Sequence, residues 1–246
     1  MPHPILSLSS VTKTFGGSEA SGMLALDHIQ LDIRQGEFFV FVGPSGCGKS
    51  TLLRIMSGLD KPSRGSVVLR EGMSPDDMSF VFQNFALLPW MTVKESIAMG
   101  LVGRGVPAAK QEKIIKNELK IFGLEKFAHS HPRNLSGGMR QRVGIARAFA
   151  TSPSILFMDE PFSELDSFTA DELRKELLSI WKERKTTIIM VTHIVEEALE
   201  LADRIAVMSP RPGTIEKIFD NKLPRPRNKR SKEFFAMEDK LYEQIK

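Results

Sequence analysis

The chain has a single cysteine, Cys47, in 246 residues, so no disulfide can close within it and a reducing cytosol fits. No run of about 18 uncharged apolar residues occurs, which excludes a bilayer-spanning helix. The opening MPHPILSLSS lacks the basic start and long apolar stretch of a secretory signal. Internal repeats and long low-complexity tracts are missing too. Acidic residues are absent from residues 222–232, KLPRPRNKRSK, which hold six basic side chains. The whole chain carries +4, so subtracting six leaves −2 for the rest, a nearly neutral body. The basic stretch reads first as a solvated, poorly ordered tail, with binding of anionic lipid or nucleic acid as the alternative; no nucleic-acid partner is inferred from it.

With 41% hydrophobic and 26% charged residues, the composition is that of an ordinary soluble protein. The length suits one large α/β domain or one domain carrying a small subdomain. ILSLSSV (5–11) and LDHIQLDI (26–33) alternate apolar and polar residues, as half-buried strands do. FFVFV (38–42), ILFM (155–158) and TIIMV (187–191) are continuously apolar, the pattern of parallel strands covered on both faces. Residues 107–124 have near-helical apolar spacing, with Ile115 and Leu119 four apart and Gly123 placed to end the helix. Further helices are expected over 139–150, 168–184 and 195–202.

Three segments carry chemistry. VGPSGCGKST (42–51) meets the pattern G-x-x-x-x-G-K-[ST] through Gly43, Gly48, Lys49 and Ser50, after a strand and before a helix. In such a loop the backbone N–H groups converge on phosphates and the helix directs its positive dipole end at them, so a nucleoside triphosphate is the expected ligand. The loop residues expected at the nucleotide are Gly43, Pro44, Ser45, Gly46, Cys47, Gly48, Lys49, Ser50 and Thr51. Lys49 is expected to reach the β- and γ-phosphates and Ser50 to ligate Mg²⁺.

SILFMDEP (154–161) ends a buried strand in two carboxylates that point in different directions. Asp159 is expected to hold the Mg²⁺ shell, directly or through water, and Glu160 to polarise an attacking water, as phosphoryl transfer requires. LSGGMRQRVGIARAFA (135–150) is a second helix start prepared for anions, with Ser136 as N-cap and Gly137 and Gly138 leaving their N–H groups bare.

At this point the sequence resembles the ATP-binding cassette ATPases, whose signature is usually LSGGQ; here Met139 stands where glutamine is common. The resemblance covers nearly the whole chain. Phe15 in TKTFGG matches the aromatic that stacks on adenine. Gln83 in FVFQNFALLPW matches the glutamine that links the metal site to the membrane partner. Asp166 in SELD matches the D-loop, where Glu164 replaces the common alanine, and His193 in VTHIVEEA matches the switch histidine that senses or orients the γ-phosphate. The resemblance thus implies catalytic roles for Glu160, His193 and Gln83, metal contacts from Ser50, Gln83 and Asp159, and nucleotide contacts from Phe15, Ser136, Gly137, Gly138 and Asp166.

It also implies a fold: a P-loop NTPase (RecA-like) core with a parallel central sheet, an N-terminal antiparallel β subdomain and a helical subdomain. One domain would span 1–246, with the helical part within about 84–150 and a basic tail and C-terminal helix at 222–246. Members form head-to-tail dimers in which the signature of one copy completes the ATP site of the other. LLPWMTV, SPRPGTI and LPRPR are similar to the ATPase subunits of nitrate, sulfonate and taurine importers. That implies a peripheral protein on the cytoplasmic face of the bacterial inner membrane, meeting a permease near Gln83, Leu87, Leu88 and Trp90, and indirectly a substrate-binding protein. The chain is expected to lack a large regulatory domain of the sugar-importer kind. A soluble cassette protein acting on DNA or ribosomes would carry a long coiled-coil insertion or two cassettes. A P-loop kinase or small GTPase would leave LSGGM and VTH unexplained.

Overall fold

The computed structural model describes residues 4–16 and 22–245. In chain order the strands are β1 (Leu6–Phe15), β2 (Met23–Ile33), β3 (Phe38–Val42), β4 (Arg64–Leu69), β5 (Met78–Val81), β6 (Ile155–Asp159), β7 (Thr187–Thr192), β8 (Arg204–Met208) and β9 (Ile215–Asp220). The helices are α1 (Lys49–Met56), α2 (Val93–Gly103), α3 (Ala108–Ile121), α4 (Gly137–Ala150), α5 (Ser167–Arg184), α6 (Val195–Leu201) and α7 (Lys232–Tyr242). The chain divides into two compact units, Met1–Pro75 with Lys185–Lys246, and Asp76–Arg184.

The first unit contains an antiparallel sheet in the order β2-β1-β4 and a second run of strands in the order β7-β3-β8-β9. β3 is parallel to β7 and to β8, while β9 returns antiparallel to β8. Every residue of β3 and β7 is buried, which explains their unbroken apolar sequence. Burying one large apolar side chain contributes roughly 1.5–3 kcal/mol, so Phe38, Phe39 and Phe41 anchor β3 more firmly than the net gain of its ladder hydrogen bonds, about 1 kcal/mol each. The end of β3 is thereby a fixed platform for the loop that follows it.

β1 runs on to Phe15, beyond the stretch 5–11 expected from alternation. The reason is a bulge: the register with β2 shifts between Leu8 and Val11, and Ser10 takes a left-handed φ of 48°. One extra residue breaks the period of two and hides the second half of the strand from a pattern reading.

In the second unit β5 and β6 pair in parallel, and α2, α3 and α4 all lie within residues 93–150. The rings of Phe122 and Phe149 stack at 6.3 Å. Arg184 grips the buried Glu118 carboxylate through two hydrogen bonds, of 2.8 and 2.9 Å. Burial pushes the Glu118 carboxyl up and the guanidinium opposes that shift. Gly123, at φ +63°, closes α3 in the left-handed conformation expected of it.

The basic stretch 222–232 is not a solvated tail. Leu223, Arg225, Arg227 and Lys229 alternate with exposed residues and turn toward the body of their unit. Arg227 donates to the carbonyls of Leu199 (2.9 Å), Glu200 (3.0 Å), Leu223 (3.2 Å) and Asn221 (3.3 Å). Arg225 donates to the Leu201 carbonyl and pairs with Asp203, and Lys229 pairs with Glu196 and Glu200 at 2.8 Å. Carbonyls in the last turn of α6 have no partners within the helix, and two arginines supply them. Burial, with the neighbouring Arg225 charge, pulls the Arg227 guanidinium down to about 10. Charge counting missed this because the acceptors are backbone carbonyls and carboxylates distant in sequence. Arg227→Ala is expected to cost about 2–3 kcal/mol of stability, read by denaturant unfolding; a loss below about 0.5 kcal/mol would restore the solvated reading.

Candidate functional site

In the first unit the chain leaves β3 at Val42 and turns through Gly43–Gly48 into α1. Two glycines permit the close fit. A Cβ on Gly43 would stand 2.8 Å from the Met208 carbonyl oxygen, and one on Gly48, at φ +103°, 2.7 Å from Leu26 Cδ2. Gly48 is also the N-cap of α1, and no side chain caps the helix there. The helix end is left to an anion. Lys49 is buried, and its ammonium donates to the carbonyls of Gly43 (2.8 Å) and Pro44 (2.9 Å). Both acceptors are neutral, so a phosphate oxygen reaching this nitrogen meets a full positive charge away from bulk water. Ser45 and Gly46 form the exposed tip, while Cys47 is buried beneath it, its Sγ 3.9 Å from the Lys49 nitrogen. Ser50 and Thr51 open the first turn of α1.

The same unit carries His193 and Phe15. β7 pairs Thr192 with Val42, so His193 follows the strand end beside the loop's own starting point. Thr192 Oγ1 donates to Glu197 at 2.7 Å and accepts from the Ile194 N–H at 3.1 Å, fixing the turn in which His193 sits exposed. Phe15 ends β1 with its ring 39% exposed and the Lys13 ammonium 5.0 Å from its centroid. Lys13 is held in turn by Asp60 at 2.7 Å, and that hydrogen bond keeps the Asp60 carboxyl below its usual range.

In the second unit β6 delivers Asp159 as its last, buried residue, and Glu160 follows at φ 43°. A left-handed glutamate is a strained position that surrounding contacts must hold, and such positions concentrate where a side chain has to be aimed. β5 is in register with β6, Val81 against Met158, so Gln83 and Glu160 emerge from neighbouring strand ends. Ser163 joins them: its hydroxyl donates to the Glu160 carbonyl at 2.9 Å and accepts from Gln83 Nε2 at 3.4 Å.

Ser136 caps α4, accepting from the Met139 N–H at 3.3 Å, as its position before two glycines predicted. The segment from Glu164 to Thr169 lies against this helix start. A Cβ on Gly138 would stand 2.4 Å from Thr169 Cγ2, and one on Gly137 3.6 Å from Leu165 Cδ2. Asp166 accepts from the Thr169 N–H at 3.0 Å, and that bond holds its carboxyl below the ordinary range. Leu87 and Leu88 are half-buried and Trp90 is 69% exposed, just before α2 starts with a capping box of Thr92 and Glu95.

The structure thus groups Phe15, Gly43–Thr51 and His193 in one unit, and Gln83, Asp159, Glu160, Asp166 and Ser136–Gly138 in the other. Sequence reasoning passed over Lys13, Ser163 and Arg211. Arg211, from the SPRPG stretch, donates to the Gly46 carbonyl at 3.0 Å and so touches the exposed loop tip. Arg211 is far from Gly46 in sequence and only the fold brings it there, whereas Lys13 and Ser163 stand within three residues of Phe15 and Glu160 but belong to no motif pattern.

Comparison with known proteins gives a consistent result. A family model described as ABC transporter matches residues 26–163. The aliphatic sulfonates import ATP-binding protein SsuB of Bacillus cereus is 40% identical over 98% of this chain and 95% of its own length. The nitrate import ATP-binding protein NrtC of Synechocystis is 44% identical over 92% of this chain, which spans 35% of that longer protein. Among solved structures, a dimeric post-hydrolysis state of the ATP-binding cassette MJ0796 bound to ADP and Pi superposes with a TM-score of 0.76. It shares 34% identity, covering 88% of this chain and 99% of that one.

The glycine contacts generate a test. Gly48→Ala places a side chain in a left-handed position against Leu26, and is expected to weaken ATP binding at least about tenfold while the chain stays folded. A fluorescent-nucleotide titration beside a circular-dichroism melt reads both; unchanged affinity would mean that the loop does not depend on this close approach.

Proposed function

Since the chain belongs to the ABC transporter family, we propose that it is the ATP-hydrolysing subunit of an importer for a small anion or organic solute of nitrate, sulfonate or taurine type, energising a separate permease. The observation that carries the reading is the pair of helix starts on one chain. One, at Gly48, is open to a phosphate beside a buried lysine, and the other, at Ser136, presents two glycines. A solute of that class is what the sulfonate and nitrate relatives are named for.

The residues present suit both ATP and magnesium. The Gly43 and Gly48 cradle that a Cβ would fill, with the Lys49 ammonium inside it, fits a triphosphate. Ser50, Gln83 and Asp159 offer the hard oxygen donors magnesium takes, and among the described residues no cluster of three or more His, Cys, Asp or Glu could hold a metal alone. A magnesium site of one carboxylate completed by substrate phosphates is the usual arrangement. Magnesium held there would supply charge neutralisation to the phosphoryl group being transferred.

The division of labour follows. Phe15, backed by Lys13, offers a ring face to adenine. The backbone amides from Gly46 to Thr51 hold the β-phosphate, and Lys49 draws charge from the γ-phosphate. Glu160, aimed by its left-handed backbone, orients the attacking water and takes up its proton. The water oxygen bonds to the γ-phosphorus as the bond to the bridging β–γ oxygen breaks, giving ADP and phosphate. His193 senses or orients the γ-phosphate. Ser136, Gly137 and Gly138 of a second copy cover the same phosphate, and Asp166 lies in the contact between copies. ATP thus joins two chains and its hydrolysis lets them part.

The permease contact is assigned to Gln83, Leu87, Leu88 and Trp90, since a large aromatic side chain left in solvent beside two leucines marks a partner surface. The protein then works at the cytoplasmic face of the inner membrane as a peripheral subunit, with the substrate-binding protein acting on it only through the permease. Among the described residues no helix is long and apolar enough to cross a bilayer.

Two variants test this. Glu160→Gln is expected to bind ATP, lose at least about a hundredfold in turnover and accumulate as an ATP-bound dimer in sedimentation velocity, because the amide takes no proton. Rapid turnover by that variant would remove Glu160 from its role. Lys49→Ala is expected to lose nucleotide affinity, and undiminished ATP binding would sink the loop assignment.

A further inference from the structure

Between Gln83 and Trp90 the chain makes a turn in which two consecutive residues bearing side chains, Phe85 (φ 62°) and Ala86 (φ 45°), adopt the left-handed region. L residues avoid that region, so contacts from outside must hold the pair there. Within the turn, the Phe85 N–H donates to the Phe82 carbonyl at 3.2 Å and the Ala86 N–H to the Asn84 carbonyl at 2.7 Å. The carbonyls of the strained pair are met from α4. Arg147 donates through Nη1 to Ala86 O at 2.6 Å and through Nη2 to Phe85 O at 3.1 Å.

Two more residues of α4 face the turn. The Arg140 guanidinium lies 5.4 Å from the centre of the Phe85 ring, and Gly144 faces the Phe85 carbonyl, which a Cβ there would approach to 3.5 Å. Positions 140, 144 and 147 fall on one face of a helix, so this stripe of α4 is given over to the turn. Burial pulls the Arg147 guanidinium below its ordinary range, as expected of a cation serving neutral carbonyls away from water. Nothing in the motif reading gives Arg147 a task.

We propose that Arg147 is a positioning residue that latches the turn after Gln83 to α4, so that the Ser136 end of the helix and the Leu87–Trp90 segment move as one body. α4 is 14 residues long, about 20 Å of rigid rod. One end is the anion-binding start assigned above to the γ-phosphate, and near the other end Arg147 holds the segment assigned to the permease. Without the latch the turn can relax into ordinary backbone conformations, and a displacement of the helix is lost before it reaches Trp90. The inference rests on the importer reading for what the motion accomplishes, but the latch itself is a property of this chain.

The experiment compares wild type, Arg147→Ala and Arg147→Lys, as the isolated subunit and assembled with its permease in lipid vesicles. In the isolated subunit, hydrogen exchange of the amides over residues 83–90 is expected to quicken about tenfold in Arg147→Ala, with little change elsewhere in residues 76–184. Basal ATPase should stay within about twofold of wild type. Stimulation by the permease with loaded binding protein should fall at least about tenfold, and Arg147→Lys should restore it only in part, since an ammonium keeps the charge but not the two-pronged grip. Unchanged exchange at 83–90 overturns the latch, and so does stimulation equal to wild type. A parallel fall of basal and stimulated rates with exchange rising throughout the unit reduces Arg147 to a structural prop and also overturns it. If Arg147→Ala does not fold, the lysine variant decides by the same readings. Failure of the permease to stimulate the wild-type chain contradicts the importer reading instead, and the exchange measurement still judges the latch.

Discussion

A helix start exposes N–H groups that its own backbone cannot satisfy, and the function proposed for this chain depends on two of them. At α1 the residue in the capping position is glycine with a left-handed φ, and a Cβ at Gly43 or Gly48 would crowd Met208 or Leu26. At α4 a serine satisfies one N–H and two glycines follow it. Both ends favour an anion, and the proposed function gives them a triphosphate to share. In one unit the buried strands β3 and β7 hold the α1 start, and in the other the buried β6 holds Asp159 and Glu160.

The tension between stability and use appears as strain in chosen places. Glu160, Phe85 and Ala86 all sit in the left-handed region without being glycine, and all three lie at or next to residues assigned to water activation or to the partner surface. Each has a hydrogen-bonding partner that holds it: Ser163 on the Glu160 carbonyl, Arg147 on the other two. Holding a side chain in a poor conformation costs of order 1–3 kcal/mol, a cost that rigid packing elsewhere offsets. The arginines that close α6 serve the opposite purpose, since they stabilise a helix end and are far from any motif in sequence.

Much of this was legible in the sequence because its chemistry is local. A phosphate loop needs its glycines and lysine at fixed separations, a helix cap needs its serine just before the first turn, and a doubly covered strand must be apolar throughout. Gly43–Thr51, Asp159, Glu160 and Ser136–Gly138 follow from such constraints, as do β3, β6 and β7. Part of what escaped, such as α2 and β8, was local and simply not read, and the rest was non-local or out of register. The bulge at Ser10 broke the alternation of β1, Arg225 and Arg227 looked like solvated charge because the carbonyls and the Asp203 carboxylate that meet them are distant in sequence, and Arg147 and Arg211 act on residues that only folding brings near. The order of the motifs along the chain, rather than any one of them, carried the family assignment, and the comparisons agree with it.

The central claim is that each nucleotide is closed over by a helix start from another copy of the chain, and complementation between two inactive variants tests it most directly. One variant carries Lys49→Ala, which spoils the phosphate loop but leaves the Ser136 end intact; the other carries Ser136→Glu, which sets a negative charge against the γ-phosphate and leaves the loop intact. Each alone should hydrolyse no ATP. Mixed, they should regain ATPase activity, because the mixed dimer contains one site built from an intact loop and an intact signature. If the mixture stays as inactive as its parts while each variant remains folded, the site is complete within a single chain and the account is wrong.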